Sequence, residues 1–307
     1  MQRTAGGTGI DTFLPPRRNG LILHAVVSVL LLSISLACFS LSLKQQVGSY
    51  FLLLLLISLI LLPPAALAVY RGLALIRASY TIERDGLRLR WGLRGEDIPL
   101  PDIEWIRPAS DMGFNLPMPF LHPVGSILGK RNIEGLGVVE FMASEADRML
   151  LIATPRQVFV ISPSDPSEFI FAFQRSTELG SLAPLASNST QPAAFLQGVW
   201  SDLPARILLL SGLVISLILF ITVSLIVPSQ NSISLGFDGR GAPMDPGPPE
   251  RLLLLPVLAG MVYAVDLLLG LLLYRMPENR PVAYLLWTGS VMTPILLFIG
   301  TLFLIQT

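Results

Sequence analysis

The chain has 307 residues, of which 52% are hydrophobic and only 14% charged, and its formal net charge is zero. That balance is too apolar for an ordinary soluble protein of this length and points to the membrane class, and zero net charge gives no reason to expect nucleic acid as a partner. Cys38 is the single cysteine and the two histidines, His24 and His122, lie far apart, so neither a disulfide framework nor a Cys- or His-based metal centre is expected.

A helix that crosses a bilayer needs roughly 20 mainly apolar residues. After a short N-terminal segment, 1–20, five runs qualify: 21–43, 50–70, 207–227, 252–274 and 282–305. They are continuous rather than alternating, which excludes a membrane barrel. The first run is too long for a signal-peptide core and lacks a small-residue cleavage pattern. Leu36-Ala37-Cys38 is a poor match to lipoprotein processing. Pro63 and Pro64 predict a bend in the second run, absorbed by neighbouring helices.

Orientation follows from the basic residues. Arg3, Arg17 and Arg18 precede the first run, Arg71 and Arg77 follow the second, and Arg275 and Arg280 lie between the last two. Placing the N-terminus, the central region and the 275–281 loop inside gathers most Lys and Arg in the cytoplasm and leaves the C-terminus outside. Tyr50, Tyr70, Trp200, Tyr274 and Tyr284 fall near run ends, where interfacial aromatics concentrate.

Between residues 72 and 176 the pattern changes to short alternating segments. Seven strands are predicted: 79–84, 87–91, 96–100, 102–107, 137–142, 148–153 and 157–161. Asp85-Gly86 makes the first turn. In the second strand Leu87, Leu89 and Trp91 face one way, Arg88 and Arg90 the other. A single helix follows. Asp165 is its N-cap, Pro166 its first residue and Glu168 the acid three residues after the cap, and Phe169, Ile170 and Phe173 form its apolar stripe.

Several of these segments together resemble a bacterial pleckstrin-homology (PH) domain. They are Tyr80-Thr-Ile-Glu-Arg-Asp-Gly-Leu87, Asp97-Ile-Pro-Leu100, Ile103-Glu-Trp-Ile106, Val158-Phe-Val-Ile-Ser-Pro163 and Asp165-Pro166 with Glu168-Phe169. The resemblance implies a seven-stranded bent barrel capped by a C-terminal helix, in a domain of the kind that serves binding or assembly. The expected fold is thus an α-helical transmembrane bundle of five spans plus a cytoplasmic all-β PH-like barrel. Its parts are the hairpin of spans 21–70, the PH-like domain 71–178, a linker 179–206, and spans 207–307 with an external loop at 228–251.

An insert at 111–134 interrupts the compact pattern; it opens with Asp111-Met-Gly-Phe-Asn-Leu-Pro-Met-Pro-Phe-Leu-His-Pro123 and carries Lys130 and Arg131. Two readings stand: a loop that packs on its own barrel or a partner helix, or one that dips into headgroups with Lys130 and Arg131 meeting anionic lipid. Arg88, Arg90, Lys130 and Arg131 are the candidate lipid or partner contacts. In the linker, residues 195–203 suit a short interfacial helix. Asn188-Ser-Thr190 matches a glycosylation sequon that has no meaning on the cytoplasmic side.

The loop after the third span, with Ile233, Gly236-Phe237 and Gly241-Ala-Pro243, resembles one in a bacterial membrane family of unknown function that includes relatives of peptide-toxin immunity proteins. Gly236 stands where that family often has His, so no role of that His transfers. The residues read as a short extended piece and a Gly/Pro turn, either a packed cap or a recognition loop.

Asp266, mid-way along the fourth span, is the candidate intramembrane polar site. A charge at that depth costs ~2.5–3.5 kcal/mol, so it should be paired, protonated or face a polar cavity. Thr288, Ser290, Thr293, Ser216 and Thr222 are the hydroxyls that would satisfy it as helix glue.

No metalloprotease motif, phosphate loop, nucleophile elbow or cysteine pair is present, so no catalytic residue, metal or cofactor is expected. The expectation is a non-enzymatic multi-pass protein of a bacterial cytoplasmic membrane, with membrane lipids and a membrane or cytoplasmic protein as partners. The rival is a transporter, channel or immunity-type protein working through Asp266 and the external loop.

Overall fold

The computed structural model describes residues 10–120, 122–179, 185, 187–190, 192–233 and 247–306. The chain divides into two compact units, Met1–Ser33 with Leu61–Pro192, and Ile34–Ile60 with Ala193–Thr307.

In the first unit, β1 (Asp11–Phe13) precedes α1 (Arg18–Ser42) and α2 (Ser49–Ile76). Eight strands follow: β2 (Ser79–Glu83), β3 (Gly86–Trp91), β4 (Arg94–Pro99), β5 (Trp105–Pro108), β6 (Ile127–Ile133), β7 (Gly137–Ala143), β8 (Leu150–Ala153) and β9 (Val158–Ile161). Then come α3 (Pro166–Leu179) and β10 (Asn188–Thr190). The strands form two five-stranded sheets, ordered β1-β2-β3-β4-β10 and β5-β8-β9-β7-β6. All pairings are antiparallel except β7 with β9, where β9 inserts between β7 and its own hairpin partner β8.

The sheets fold on a core that includes Tyr80, Leu87, Leu89, Trp91, Phe159 and Phe169, each at most 2% exposed. Burying one such Leu or Phe contributes ~1.5–3 kcal/mol. The alternation expected in β3 holds, with Leu87, Leu89 and Trp91 buried and Arg88 and Arg90 half-exposed. The cap of α3 forms as its sequence dictates: Asp165 Oδ1 accepts the Glu168 N–H at 2.9 Å. Phe169 then packs edge-to-face on Phe13 of β1, ring centres 5.1 Å apart.

The structure differs from the expectation of seven strands in four places. Residues 127–133, expected as part of the insert, form β6 and pair with β7 along their whole length. A piece of the N-terminal segment becomes β1 on one edge of the first sheet, and a piece of the linker becomes β10 on the other. The strand expected from residue 102 starts at Trp105, because Leu100–Asp102 forms a single 3₁₀ turn.

The second helix runs past its expected end at residue 70, because its last turns belong to the sheet core. Ala74 and Leu75 of α2, and Ala78 just beyond, are buried there, and Leu21 of α1 packs against the same cluster. Gly20, in the first turn of α1, touches Gly125 backbone to backbone. A Cβ on Gly20 would lie 2.5 Å from the Gly125 Cα, and Gly125 itself has φ +83°. Both positions therefore need glycine. The Arg17 guanidinium donates to the Ala78 carbonyl, tying the start of α1 to the end of α2. Since β1 precedes α1 and its partner β2 follows α2, the two ends of this hairpin lie on one side of whatever the helices cross.

The second unit contains the far halves of α1 and α2 and four further helices: α4 (Pro192–Ser201), α5 (Leu203–Ile226), α6 (Leu254–Tyr274) and α7 (Arg280–Gln306). Small residues let the helices approach. A Cβ on Gly270 of α6 would fall 2.1 Å from the indole nitrogen of Trp287, and one on Gly212 of α5 would fall 2.9 Å from Ser290 Oγ. Ile233 and Gly247 close the stem of the 228–251 loop with paired backbone hydrogen bonds of 3.0 and 2.9 Å. Ile233 is buried with Val223, Val227 and Leu252. The stem is thus packed, while the segment from Gly236 to Pro243 singled out in the sequence lies outside the described residues.

Five helices are long and apolar enough to span a membrane, and they correspond to the five expected runs. Pro63 and Pro64 sit inside a continuous α2, and Pro294 sits inside α7.

Candidate functional site

The insert divides its side chains between two surroundings. Met112, Leu116 and Met118 pack on the core of the second sheet. Phe120 is 91% exposed, and Phe114 and Val124 are also exposed. The loop leads to Gly125, which lies against Gly20 in the first turn of α1.

The four basic candidates fall on two strands in different sheets, Arg88 and Arg90 on β3, Lys130 and Arg131 on β6. Arg88 is paired with Glu83 at 3.1 Å and Arg90 with Asp97 at 2.6 Å. Lys130 lies 3.6 Å from Glu140, and Arg131 Nε donates to the Met118 carbonyl at 3.0 Å. Lys130 and Arg131 are therefore held on a paired strand rather than carried on a free loop.

Glu140 is the centre of an ion network that sequence reasoning missed. Arg94 of β4 grips it with two parallel bonds, Nε to Oε1 at 2.8 Å and Nη2 to Oε2 at 2.9 Å, and also contacts Glu96 at 2.6 Å. Gln157 Nε2 donates to the same carboxylate at 2.9 Å. Burial raises the Glu140 carboxyl, but the bonds and charge of Arg94, with Lys130 and Gln157, outweigh it and hold the group below the usual carboxylate range. Burial likewise opposes charge on Arg94, and the Glu140 and Glu96 partners more than restore it. The alternation of β4 carried no hint of a charge reaching the other sheet.

Beside this network a cleft of about 370 Å³ opens, with Glu96, Asp97 and Asp102 on one wall and Thr154, Arg156 and Gln157 on another. Ile98 and Phe159 line it as well. Two of its three carboxylates are already paired, Glu96 with Arg94 and Asp97 with Arg90, so the cleft offers polar groups of both signs rather than a bare acidic surface.

A family model described as "Bacterial PH domain" matches residues 78–176. A PH-like domain is present. The match covers β2 through most of α3, so β1, β10 and the ends of α1 and α2 are additions to the matched part. No curated protein and no solved structure matches the chain.

In the second unit Asp266 of α6 faces Gly289 of α7, whose Cβ position would lie 3.4 Å from Asp266 Oδ2. Among the described residues no hydrogen bond or ion pair ends on it. Two of its expected partners are engaged within their own helix: Thr288 Oγ1 donates to the Tyr284 carbonyl at 2.8 Å and Ser290 Oγ to the Trp287 carbonyl at 2.7 Å. Ser216 Oγ is buried without a partner. The structure thus does not bring these hydroxyls onto the carboxyl. The interfacial helix expected at 195–203 is α4, displaced three residues toward the N-terminus at its start.

Proposed function

We propose that this is a non-enzymatic membrane scaffold whose PH-like domain is held against the membrane surface and presents its far side to a protein partner. One observation carries the reading: both ends of the α1–α2 hairpin are built into the domain. Ala74, Leu75 and Ala78 lie in its core, and Gly20 abuts Gly125. A domain so joined does not swing on a linker. Its insert then meets the headgroups with Phe120, Phe114 and Val124, each apolar and exposed. The polar cleft beside Glu96 and Asp97 is the partner surface. The positive-inside pattern supports a cytoplasmic domain in a bacterial cytoplasmic membrane.

Phe120→Asp tests the membrane contact. Folding should be unaffected within ~0.5 kcal/mol, as for an exposed site. Quenching of a fluorophore at residue 114 by brominated lipid should fall in reconstituted full-length protein. Unchanged quenching would remove the loop from the membrane.

The rival, transport through Asp266, draws on the lack of a partner for that carboxyl. Asp266→Asn separates the two. The scaffold reading expects normal extraction and no change in proton or ion flux in proteoliposomes. Flux present in the wild type and lost in a well-folded variant would favour transport.

A further inference from the structure

Asp202 stands one residue before α5 and meets the end of α6 and the start of α7. Tyr274 Oη donates to Asp202 Oδ2 at 2.6 Å, and the Tyr284 hydroxyl donates to the same oxygen. Two arginines flank this carboxylate. Arg280 lies over the Tyr274 ring at 4.9 Å, and Arg275 lies over the Phe195 ring of α4 at 5.9 Å. Neither makes an ion pair within 4.0 Å among the described residues. Asp202, Tyr274, Arg275, Arg280 and Phe195, with Gly198 and Ser201, frame an open cavity of about 400 Å³.

Depth is marked by the helix that walls the cavity. In α4, Val199 is buried while Leu196 and Trp200, one turn apart, are exposed. Such a face, beside the ends of three spanning helices, belongs at the headgroup layer. We propose that this cavity binds the headgroup of an amine-bearing phospholipid, with the phosphate between Arg275 and Arg280 and the amine at Asp202.

The arrangement of charge favours that occupant. Each guanidinium sits over an aromatic ring, which accepts no N–H in a conventional hydrogen bond, so donors remain for a phosphate. Asp202 stays ionised, because the hydroxyls of Tyr274 and Tyr284 hold its carboxyl below the usual range. Two cations and one anion surround a space instead of pairing with each other, so a ligand carrying both signs completes them. A purely anionic headgroup satisfies the arginines and leaves Asp202 with nothing to attract. The same phosphate-plus-amine chemistry exists in a soluble form, glycerophosphoethanolamine, and the test separates the two sources.

Native mass spectrometry of the full chain in detergent, titrated in parallel with phosphatidylethanolamine, phosphatidylglycerol and glycerophosphoethanolamine, reads the site directly. Phosphatidylethanolamine should give the most persistent adduct. Arg275→Gln and Arg280→Gln should each weaken it about tenfold, which is ~1.4 kcal/mol. Asp202→Asn should leave phosphatidylglycerol binding intact and abolish the preference for the amine. Arg275→Lys, which preserves the charge that guides insertion, should lose less than Arg275→Gln, and monodisperse elution checks that each variant is folded. The proposal is overturned if the arginine variants bind like the wild type, if Asp202→Asn keeps the preference, or if glycerophosphoethanolamine binds as tightly as the lipid.

Discussion

In the PH-like unit charged side chains from separate strands meet, as Arg94 of β4 and Glu140 of β7 do, whereas in the membrane unit several serine and threonine hydroxyls turn back on their own helices. Ser211, Thr288, Ser290 and Thr301 each donate to a carbonyl three or four residues earlier. The contrast has a geometric cause. A sheet places residues distant in sequence directly opposite one another, so a charge finds its counter-charge across the fold. A helix offers a serine or threonine hydroxyl a local carbonyl as acceptor, but a carboxylate needs a donor, and the N–H groups of a helix interior are already used. Among the described residues none reaches Asp266.

Three substitutions test how far this contrast reaches. Phe169→Ala should have the largest effect. It empties a fully buried position in the closing helix and removes the contact with Phe13, at a cost of ~3–5 kcal/mol. Denaturant unfolding of the full chain in detergent, followed by tryptophan fluorescence, should show the PH-like unit melting early while the membrane helices keep their ellipticity. Concerted loss of both would mean that the two units do not unfold separately.

Glu140→Leu comes next. It takes the bidentate partner from Arg94, and removal of one partner from a buried pair costs ~3–5 kcal/mol when the pair is fully desolvated, less here because Arg94 keeps Glu96 and its side chain is 15% exposed. Arg94→Met with Glu140→Leu should recover most of the loss. The pH dependence has a definite sign. Glu140 titrates lower in the folded than in the unfolded chain, so its contribution is complete above the unfolded carboxylate range and is lost as pH falls through that range toward the folded value. Thermal melts from pH 6 to pH 3 should decline less steeply in Glu140→Gln than in the wild type.

Gly20→Ala should act least, at ~1–3 kcal/mol for an overpacked contact. Its effect should fall on the junction rather than on either core. Increased proteolysis near residues 77–79, with unchanged fluorescence of Trp91, is the expected signature.

The five spans were legible because each is a continuous apolar run, and α3 was legible because Asp165, Pro166 and Glu168 mark its start. The strands that escaped detection share a physical reason. In β6 only Ile127 and Ile133, at the two ends, are buried, and the residues between them are half-exposed or exposed, so there is no alternation to detect. β10 is Asn-Ser-Thr, exposed at all three positions, with no apolar residue to reveal it; it pairs with β4, and Arg94 Nη1 donates to Ser189 Oγ at 3.1 Å. β1 has three residues, and its partner lies about seventy positions away across two membrane helices. The Asp202 cluster was half-visible. Tyr274 and Tyr284 were noted as interfacial aromatics, but nothing in their spacing joined them to an aspartate 72 and 82 residues earlier.

The pairing of β1 with β2 also sets an order of events during synthesis. Asp11–Phe13 leaves the ribosome first and has no partner until Tyr80 emerges, after both helices of the hairpin have been made. If α2 fails to insert, β1 and β2 end on opposite sides of the bilayer and the first sheet lacks its edge. Completion of the sheet thus depends on the hairpin going in correctly, and a chain threaded the wrong way carries an open strand edge, a template for pairing with another chain.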